Sequence, residues 1–557
     1  MRGGHDGQHT MKHYLEKLAD TMRKQWGDPA LSDFHGREIT FGELASSMEK
    51  TRLTLAAAGV AKGDKVALCA RNSSYWAETY LAINTSGAVV APILFNFTPE
   101  GIMHLVDHSE SRILFVDREV AAGLDFAKMP ILKAMVSVED GAVLANRDEA
   151  AAKAFADREA LFAAAHPKGF GPADIAYPTD NADELAVVNY TSGTTSAPKG
   201  VMLRHDGFTA MVDFAQRRIP CGTGDHIVSM LPMAHMYGLA FELMYPLISG
   251  VEVHYLVKTP SPTMLLAAMK EVRPYIVITV PMVMEKIYRA SIKPVMSKPV
   301  MKILMAFPGI GRLLKRKITG KLSEAFGGRV REFVMGGAPL NPEAEAAFRK
   351  IGLPYTVGYG MTEACPLLAY EDPDAYAPGS CGKPVDCATV RIDSPDPLHV
   401  DGEIQAKGRN ICMGYFKNPE ATESLFTEDG FLRTGDLGRF DRKGNLYICG
   451  RSKNMILSAS GQNIYPEEIE AIVNQQDFVA ESVVVSRDTR LVARVYLDPD
   501  AMKKAGLSDA DIAALPERIR KAVNRDMPVY SRLSEVEPNP SPFEKTPKMS
   551  IKRFLYK

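Results

Sequence analysis

The chain is 557 residues long, so at roughly 150 residues per domain it holds several domain-sized units. Hydrophobic residues make up 46% and charged residues 24%, the proportions of a folded globular protein, which excludes a largely disordered or fibrous chain. Lys and Arg number 66 against 67 Asp and Glu, so the basic excess that nonspecific nucleic-acid binding relies on is missing and no nucleic-acid partner is expected.

Residues 1–10 are polar and Gly/His-rich and read as a tag or an overlong start, with the fold beginning at the amphipathic stretch 11–25. A strand-like run at 65–69, a helical pattern at 75–85 and a second strand at 88–93 follow. This β-α-β alternation predicts parallel sheets with helices on both faces. The rhythm returns at 101–108 then 112–116, and at 264–272 then 275–280. The expected class is therefore α/β: a large N-terminal domain, 11–450, of two parallel-type sheets with helices around one core. Between 391 and 448 the helices thin out and Gly, Asp and short strands suggest a smaller β-rich subdomain. Pro466 then opens a helix with acids in its first turn, strands follow at 482–485 and 491–497, and a charged helix is expected around 516–525. These elements make a small α+β domain, 451–557, with the boundary just after Gly450. No internal repeat or low-complexity tract interrupts the pattern.

No apolar run approaches the roughly 18 residues needed to cross a bilayer, and the first residues lack an apolar signal core. The cysteines, Cys69, Cys221, Cys365, Cys381, Cys387, Cys412 and Cys449, are scattered, odd in number and never in CxxC spacing. They read as reduced, buried thiols of a cytoplasmic protein.

After the strand at 185–189 comes Thr191-Ser192-Gly193-Thr194-Thr195-Ser196-Ala197-Pro198-Lys199-Gly200. Small residues let backbone N–H groups approach a polyphosphate, hydroxyls add hydrogen bonds, and the lysine adds a point charge. A solvated turn is the commoner explanation of any one such loop. It is not a Walker A loop, which needs Gly-Lys-Ser/Thr where this chain has Pro198-Lys199-Gly200. Further on, Gly358-Tyr359-Gly360-Met361-Thr362-Glu363 offers an aromatic face, a hydroxyl and a carboxylate, enough to stack a base, touch a phosphate and hold Mg2+. Thr434-Gly435-Asp436 adds a carboxylate for ribose hydroxyls, and Gly450-Arg451 a fixed cation. Each is weak alone; their succession in one order is not.

With these segments in place, the chain resembles the adenylate-forming superfamily of acyl-CoA synthetases, peptide-synthetase adenylation domains and luciferases, nearly end to end. The phosphate loop is matched by Thr191 to Gly200, the adenine-side segment by Gly336-Gly337-Ala338-Pro339, and the remaining motifs by 358–363, Gly435-Asp436 and Gly450-Arg451. The resemblance implies that Tyr359 stacks on adenine, Thr362 contacts phosphate, Glu363 binds Mg2+, Asp436 holds the ribose and Arg451 assists. It implies further that His235 and Gly336 line the acyl pocket, that Lys453 is the hinge of a mobile C-terminal domain, and that the substrates are a carboxylic acid, ATP and coenzyme A. Such chemistry needs charge neutralisation and in-line alignment rather than a protein nucleophile.

Two departures matter. Ser196 stands where the family loop usually carries glycine. In the tail, the position of the family's adenylation lysine, counted from Thr546, is Ser550. Either Lys548 or Lys552 reaches in by a shifted loop, or adenylation is weakened; Pro547 restricts the bend before Lys548 and so favours Lys552.

From 291 to 329 the only acid is Glu324, against nine Lys and Arg interleaved with Met, Ile, Leu and Phe. Such a segment suits an anionic membrane surface, peripheral on the inner membrane face, although a solvated basic helix covering the core is the commoner case. The expected function is an ATP-dependent acyl-CoA synthetase for long-chain fatty acids. The alternatives are an acyl- or aryl-AMP ligase loading a carrier protein, and a noncatalytic acyl-adenylate or acyl-CoA binding protein.

Overall fold

The computed structural model describes residues 11–191, 198–219, 221–257, 262–457, 463–487, 490–525, 527–546 and 550–556. The valine- and alanine-rich runs of the first half build a seven-stranded sheet in the order Val143–Asn146, Ala134–Ser137, Ser111–Val116, Lys65–Cys69, Val89–Pro92, Leu185–Thr191, Lys199–Arg204. Its inner strands run parallel, and Val66, Ala67, Leu68 and Cys69 are all buried, as expected where both faces are covered. Both edge pairs are antiparallel, so the sheet is mixed rather than uniformly parallel. The short links 138–142 and 192–198 allow only that direction, because a parallel partner needs a crossover of a dozen residues or so.

In the second sheet, Pro29–Asp33 lies beside Glu252–Tyr255, which pairs in parallel with His226–Ser229. Tyr275 N donates to His226 O at 2.9 Å, carrying the sheet on into the parallel strands Ile276–Thr279, Glu332–Met335 and Tyr355–Val357. Between the layers, the helix Ser74–Thr85 buries every residue except Tyr75, with the Trp76 and Tyr80 rings stacked at 5.4 Å. A helix without a polar face belongs in an interior.

The β-rich region is a four-stranded antiparallel sheet of Ala388–Asp393, Gly402–Gly408, Leu432–Phe440 and Leu446–Arg451. The final stretch pairs Val479–Arg487 with Arg490–Leu497 and adds Leu533–Pro538 in parallel. Its own hydrophobic cluster includes Ile469, Val473, Val484, Val495, Leu515 and Ile519. The charged helix expected around 516 begins earlier, at Asp509. Ser508 Oγ accepts from Asp511 N at 3.2 Å while Asp511 Oδ2 accepts from Ser508 N at 3.0 Å, and this reciprocal cap starts the helix and carries Pro516 inside it.

All seven cysteines are free thiols; four are buried and three half-buried, and burial pushes Cys412 up to about 12. Among the described residues no helix is long and apolar enough to cross a membrane.

Candidate active site

Thr279, Met335 and Val357 are register neighbours at the carboxyl ends of three parallel strands, the edge where α/β sheets hold ligands. Segments 336–339 and 358–363 leave from this edge. Gly336 is buried, and a Cβ there would come within 3.2 Å of the Tyr237 ring. Tyr237 Oη donates to Val334 O at 3.1 Å, which seats the turn 231–237 on this edge. Gly337, at φ +85°, adopts a left-handed conformation that glycine takes without strain, and it leaves Ala338 and Pro339 exposed beside it. His235 is half-buried on the same turn; its N donates to Pro232 O at 3.0 Å and its O accepts from Leu239 N at 2.8 Å. Asn189 Nδ2 donates to Ala234 O at 2.9 Å, so the strand that ends at Thr191 meets this turn as well.

The turn is held from beneath by a residue that sequence reasoning missed. Glu242, fully buried in a π-helical stretch, accepts from Leu231 N at 2.9 Å and from Met230 N and Ser229 Oγ at 3.1 and 3.0 Å. Burial outweighs these bonds and pushes its carboxyl from the ordinary 4.5 up to about 8. The folded protein thus keeps a proton that the unfolded chain releases, so stability is expected to fall as pH rises between about 4.5 and about 8. The linked change is at most about 5 kcal/mol. Glu242→Gln, neutral throughout, is expected to flatten that part of the profile; urea unfolding at pH 5 and pH 9 checks it, and an unchanged slope would show the proton to be elsewhere.

Two groups of site residues are built on segment 358–363, one around Tyr359 and one around Glu363. In the first, Tyr359 Oη donates to Asp436 Oδ2 at 2.7 Å, and Arg451 Nε lies 3.1 Å from Asp436 Oδ1. Asp436 and Arg451 are direct antiparallel partners on adjacent strands, which fixes the ion pair in the backbone register. Asp436 is buried, and burial raises its pKa against the pull of Arg451 and of the Tyr359 hydroxyl. Gly360 follows; a Cβ there would lie 1.8 Å from Pro366 O, so no other residue fits.

In the second group, Glu363 is buried beyond Thr362, which is half-buried at the start of a short 3-10 turn. Tyr415 Oη donates to Glu363 Oε1 at 2.8 Å, and Lys199 Nζ sits 4.7 Å from the centre of the Tyr415 ring. Segment 413–416 runs alongside 200–202, with Met413 N donating to Met202 O and Phe416 N to Gly200 O. Thr191 Oγ1 reaches Lys199 O at 3.4 Å across the hairpin. Ser192, Gly193, Thr194 and Thr195 lie outside the described residues. Tyr415 also escaped the sequence reading: a lone Gly-Tyr pair carries no local sign of a long-range strand contact. For a divalent cation the fit is good, since the second Glu363 oxygen has no protein partner among the described residues and a hard cation prefers carboxylate oxygen.

The remaining candidates are placed apart. Lys453 is exposed in the 3-10 turn Ser452–Asn454 that follows strand Leu446–Arg451. Lys552 Nζ reaches Glu544 Oε2 at 3.3 Å, at the base of a hairpin in which Thr546 N donates to Ser550 O at 2.8 Å. Arg553 ties the end of this hairpin to buried Glu470. Every described contact of Lys552 is thus local to the tail. Lys548 lies outside the described residues, between Thr546 and Ser550 in the chain.

Comparison with known proteins identifies the family of the chain. The model of the AMP-binding enzyme family matches residues 18–416, and that of the AMP-binding enzyme C-terminal domain matches 453–556. The long-chain-fatty-acid–CoA ligase FadD15 of Mycobacterium bovis is 29% identical over 86% of this chain and 82% of its own length. Long-chain-fatty-acid–CoA ligase 1 of Saccharomyces cerevisiae is 24% identical over 93% of this chain and 78% of its own. Among solved structures, ATP-bound MatB from Rhodopseudomonas palustris superposes with a TM-score of 0.76 at 24% identity, covering 97% of both chains. With both family models matched in order along most of its length, the chain belongs to the AMP-binding, adenylate-forming enzymes.

Proposed function

We propose that this enzyme activates a long-chain fatty acid with ATP and passes the acyl group to coenzyme A. In the first step a carboxylate oxygen bonds to the α-phosphorus and the bond to pyrophosphate breaks. In the second the thiol sulfur bonds to the acyl carbon, AMP leaves with the former carboxylate oxygen, and the thiol proton goes to solvent. The observation that carries the reading is that segment 358–363 holds both the Tyr359–Asp436–Arg451 cluster and the Glu363–Tyr415–Lys199 cluster. Asp436 and Tyr359 would hold the nucleoside, with Gly337, Ala338, Pro339 and Gly360 leaving the space open. Thr191, Ser192, Gly193, Thr194, Thr195 and Lys199 would cradle phosphates beside Thr362, and His235 and Gly336 would border the acyl group. A Mg2+ ion on Glu363 would supply neutralisation of phosphate charge. We divide the chain at 450/451, with Lys453 as the pivot and the residues beyond it as the moving part.

The long-chain assignment is supported by the relatives named above. An aryl acid is the second reading, favoured by the likeness in fold to O-succinylbenzoate CoA synthetase of Bacillus subtilis at TM-score 0.75 and 21% identity. A pyrophosphate-release screen over fatty and aryl acids, with coenzyme A, with a loaded carrier protein and with neither, decides. Release with fatty acids and acyl-CoA formation is expected; turnover only with aryl acids or carrier would overturn the assignment, and nucleotide binding without turnover would leave a binding protein.

The hairpin changes the balance between the two tail lysines. Lys552 is engaged by Glu544 at the hairpin base, so we assign the adenylation role to the other tail lysine, Lys548. Lys548→Ala is expected to slow adenylate formation by about 10²-fold or more, and Lys552→Ala by less than about threefold, because only an interaction made in the transition state is lost. Single-turnover acyl-AMP formation checks both, and the reverse ranking would return the role to Lys552. Ser550→Lys is expected to leave the Lys548 variant partly rescued.

For the basic segment we propose a membrane contact. Helices Pro299–Ala306 and Pro308–Ala325, with Phe307 between them, expose Val300, Ile303, Phe307, Ile310 and Leu313, while Leu322 and the following Phe326 anchor the far end in the core. Apolar side chains in water beside a run of lysines and arginines match an anionic bilayer. Co-sedimentation with anionic vesicles, lost in Leu313→Glu and in high salt, is expected; equal binding to zwitterionic vesicles would remove the charge argument.

A further inference from the structure

Away from the nucleotide side, at the amino-terminal end of strand His226–Ser229, three potential metal ligands converge. His226 and Glu252 are register partners on adjacent parallel strands, and His254 lies two residues on from Glu252, so all three project from one face of the sheet. His226 Nδ1 is 2.9 Å from Glu252 Oε2, His254 Nε2 is 3.3 Å from the same oxygen, and the two ring nitrogens are 3.3 Å apart. Ligand atoms about 2.0–2.1 Å from a tetrahedral ion lie about 3.3 Å from one another, so this triangle has the size of one face of such a site. Glu252 Oε1 is held by Ser32 Oγ at 2.6 Å from the neighbouring strand, the kind of outer hydrogen bond that orients a ligating carboxylate. Glu252 and His254 are largely enclosed, while His226 is about one-third exposed, which leaves a side open for entry and for a water as fourth ligand.

We propose that His226, Glu252 and His254 form a binding site for a divalent transition-metal ion of the zinc class, separate from the Mg2+ position at Glu363. Two imidazole nitrogens and one carboxylate favour Zn2+, Co2+ or Ni2+ over Mg2+, which prefers an all-oxygen octahedron. Every ligand sits on a strand, and the bound ion ties Glu252–Tyr255 to the start of His226–Ser229, the strand that leads into the turn 231–237. Hydrogen bonds hold the triad together in the absence of metal, with Glu252 bonded to His226, His254 and Ser32.

The test uses the full chain, stripped with EDTA and free of nucleotide, titrated with Co2+. One equivalent is expected to give the intense visible absorption of four-coordinate Co2+, bleached by Zn2+, and Zn2+ is expected to raise the melting temperature. Because His5, His9 and the cysteines also bind metals, the signal is read as the difference from variants of the same chain. His254→Ala is expected to abolish the band. His226→Gln, which keeps a hydrogen bond to Glu252 and so protects the fold, is expected to abolish it too, and Ser32→Ala to weaken binding about 10–100-fold. Equal Co2+ spectra and Zn2+ stoichiometry in the parent and in His226→Gln, or only the pale spectrum of six-coordinate Co2+, would overturn the site.

Discussion

Glu363→Gln is expected to lower kcat/KM for pyrophosphate release by about 10²–10³-fold, the cost of removing one electrostatic stabiliser of a charged transition state. The amide keeps the shape of the side chain and still accepts from Tyr415 Oη, so the loss reports charge rather than packing. Tyr415→Phe separates the two contributions. It leaves the Glu363 charge and the ring beneath Lys199 in place but removes the positioning hydrogen bond, and a smaller fall of about tenfold is expected. Raising Mg2+ should recover part of the activity of the glutamine variant by mass action. An unchanged kcat/KM for ATP in Glu363→Gln would remove the residue from the site.

Lys453→Pro is expected to divide the two half-reactions. Proline fixes φ near roughly −65° and so denies one of two backbone orientations at the proposed pivot. Acyl-AMP formation should stay within about threefold of the parent, whereas thioester formation from preformed acyl-AMP should slow by about 10²-fold or more. Rapid quench of each step in single turnover measures this directly. Equal slowing of both steps would mean a folding defect, and no slowing of either would move the pivot away from Lys453.

The elements were legible where one local rule governed them. The strand 65–69 announced itself because it is buried on both faces, and the helix at 466 because Pro and acids mark its start. The helix at 509 did not, because its cap is the pair Ser508 and Asp511, eight and five residues upstream of the proline that drew attention. Site residues carried on contiguous motifs, such as Tyr359 and Asp436, could be named in advance. Tyr415 and Glu242 could not. One reaches Glu363 through a strand contact more than two hundred residues away in sequence from Val201, and the other is a charged residue type hidden in an apolar helix, where sequence alone suggests a surface. The triad of His226, Glu252 and His254 likewise exists only through strand register, since 252 and 254 meet 226 across a sheet and not along the chain.

The Asp436–Arg451 ion pair stands two residues before the proposed pivot, and its geometry is set by the register of strands Leu432–Phe440 and Leu446–Arg451, the second of which ends there. If the tail turns about Lys453, this clasp stays on the stationary side. Holding the nucleotide and exchanging the tail then become separable free-energy terms: the adenylate need not loosen for the turn to occur, and the rate of turning need not depend on how tightly AMP is bound. Product retention and gating in this enzyme would thus be tuned by different residues, the first by the clasp and the second by the few dihedral angles that follow it.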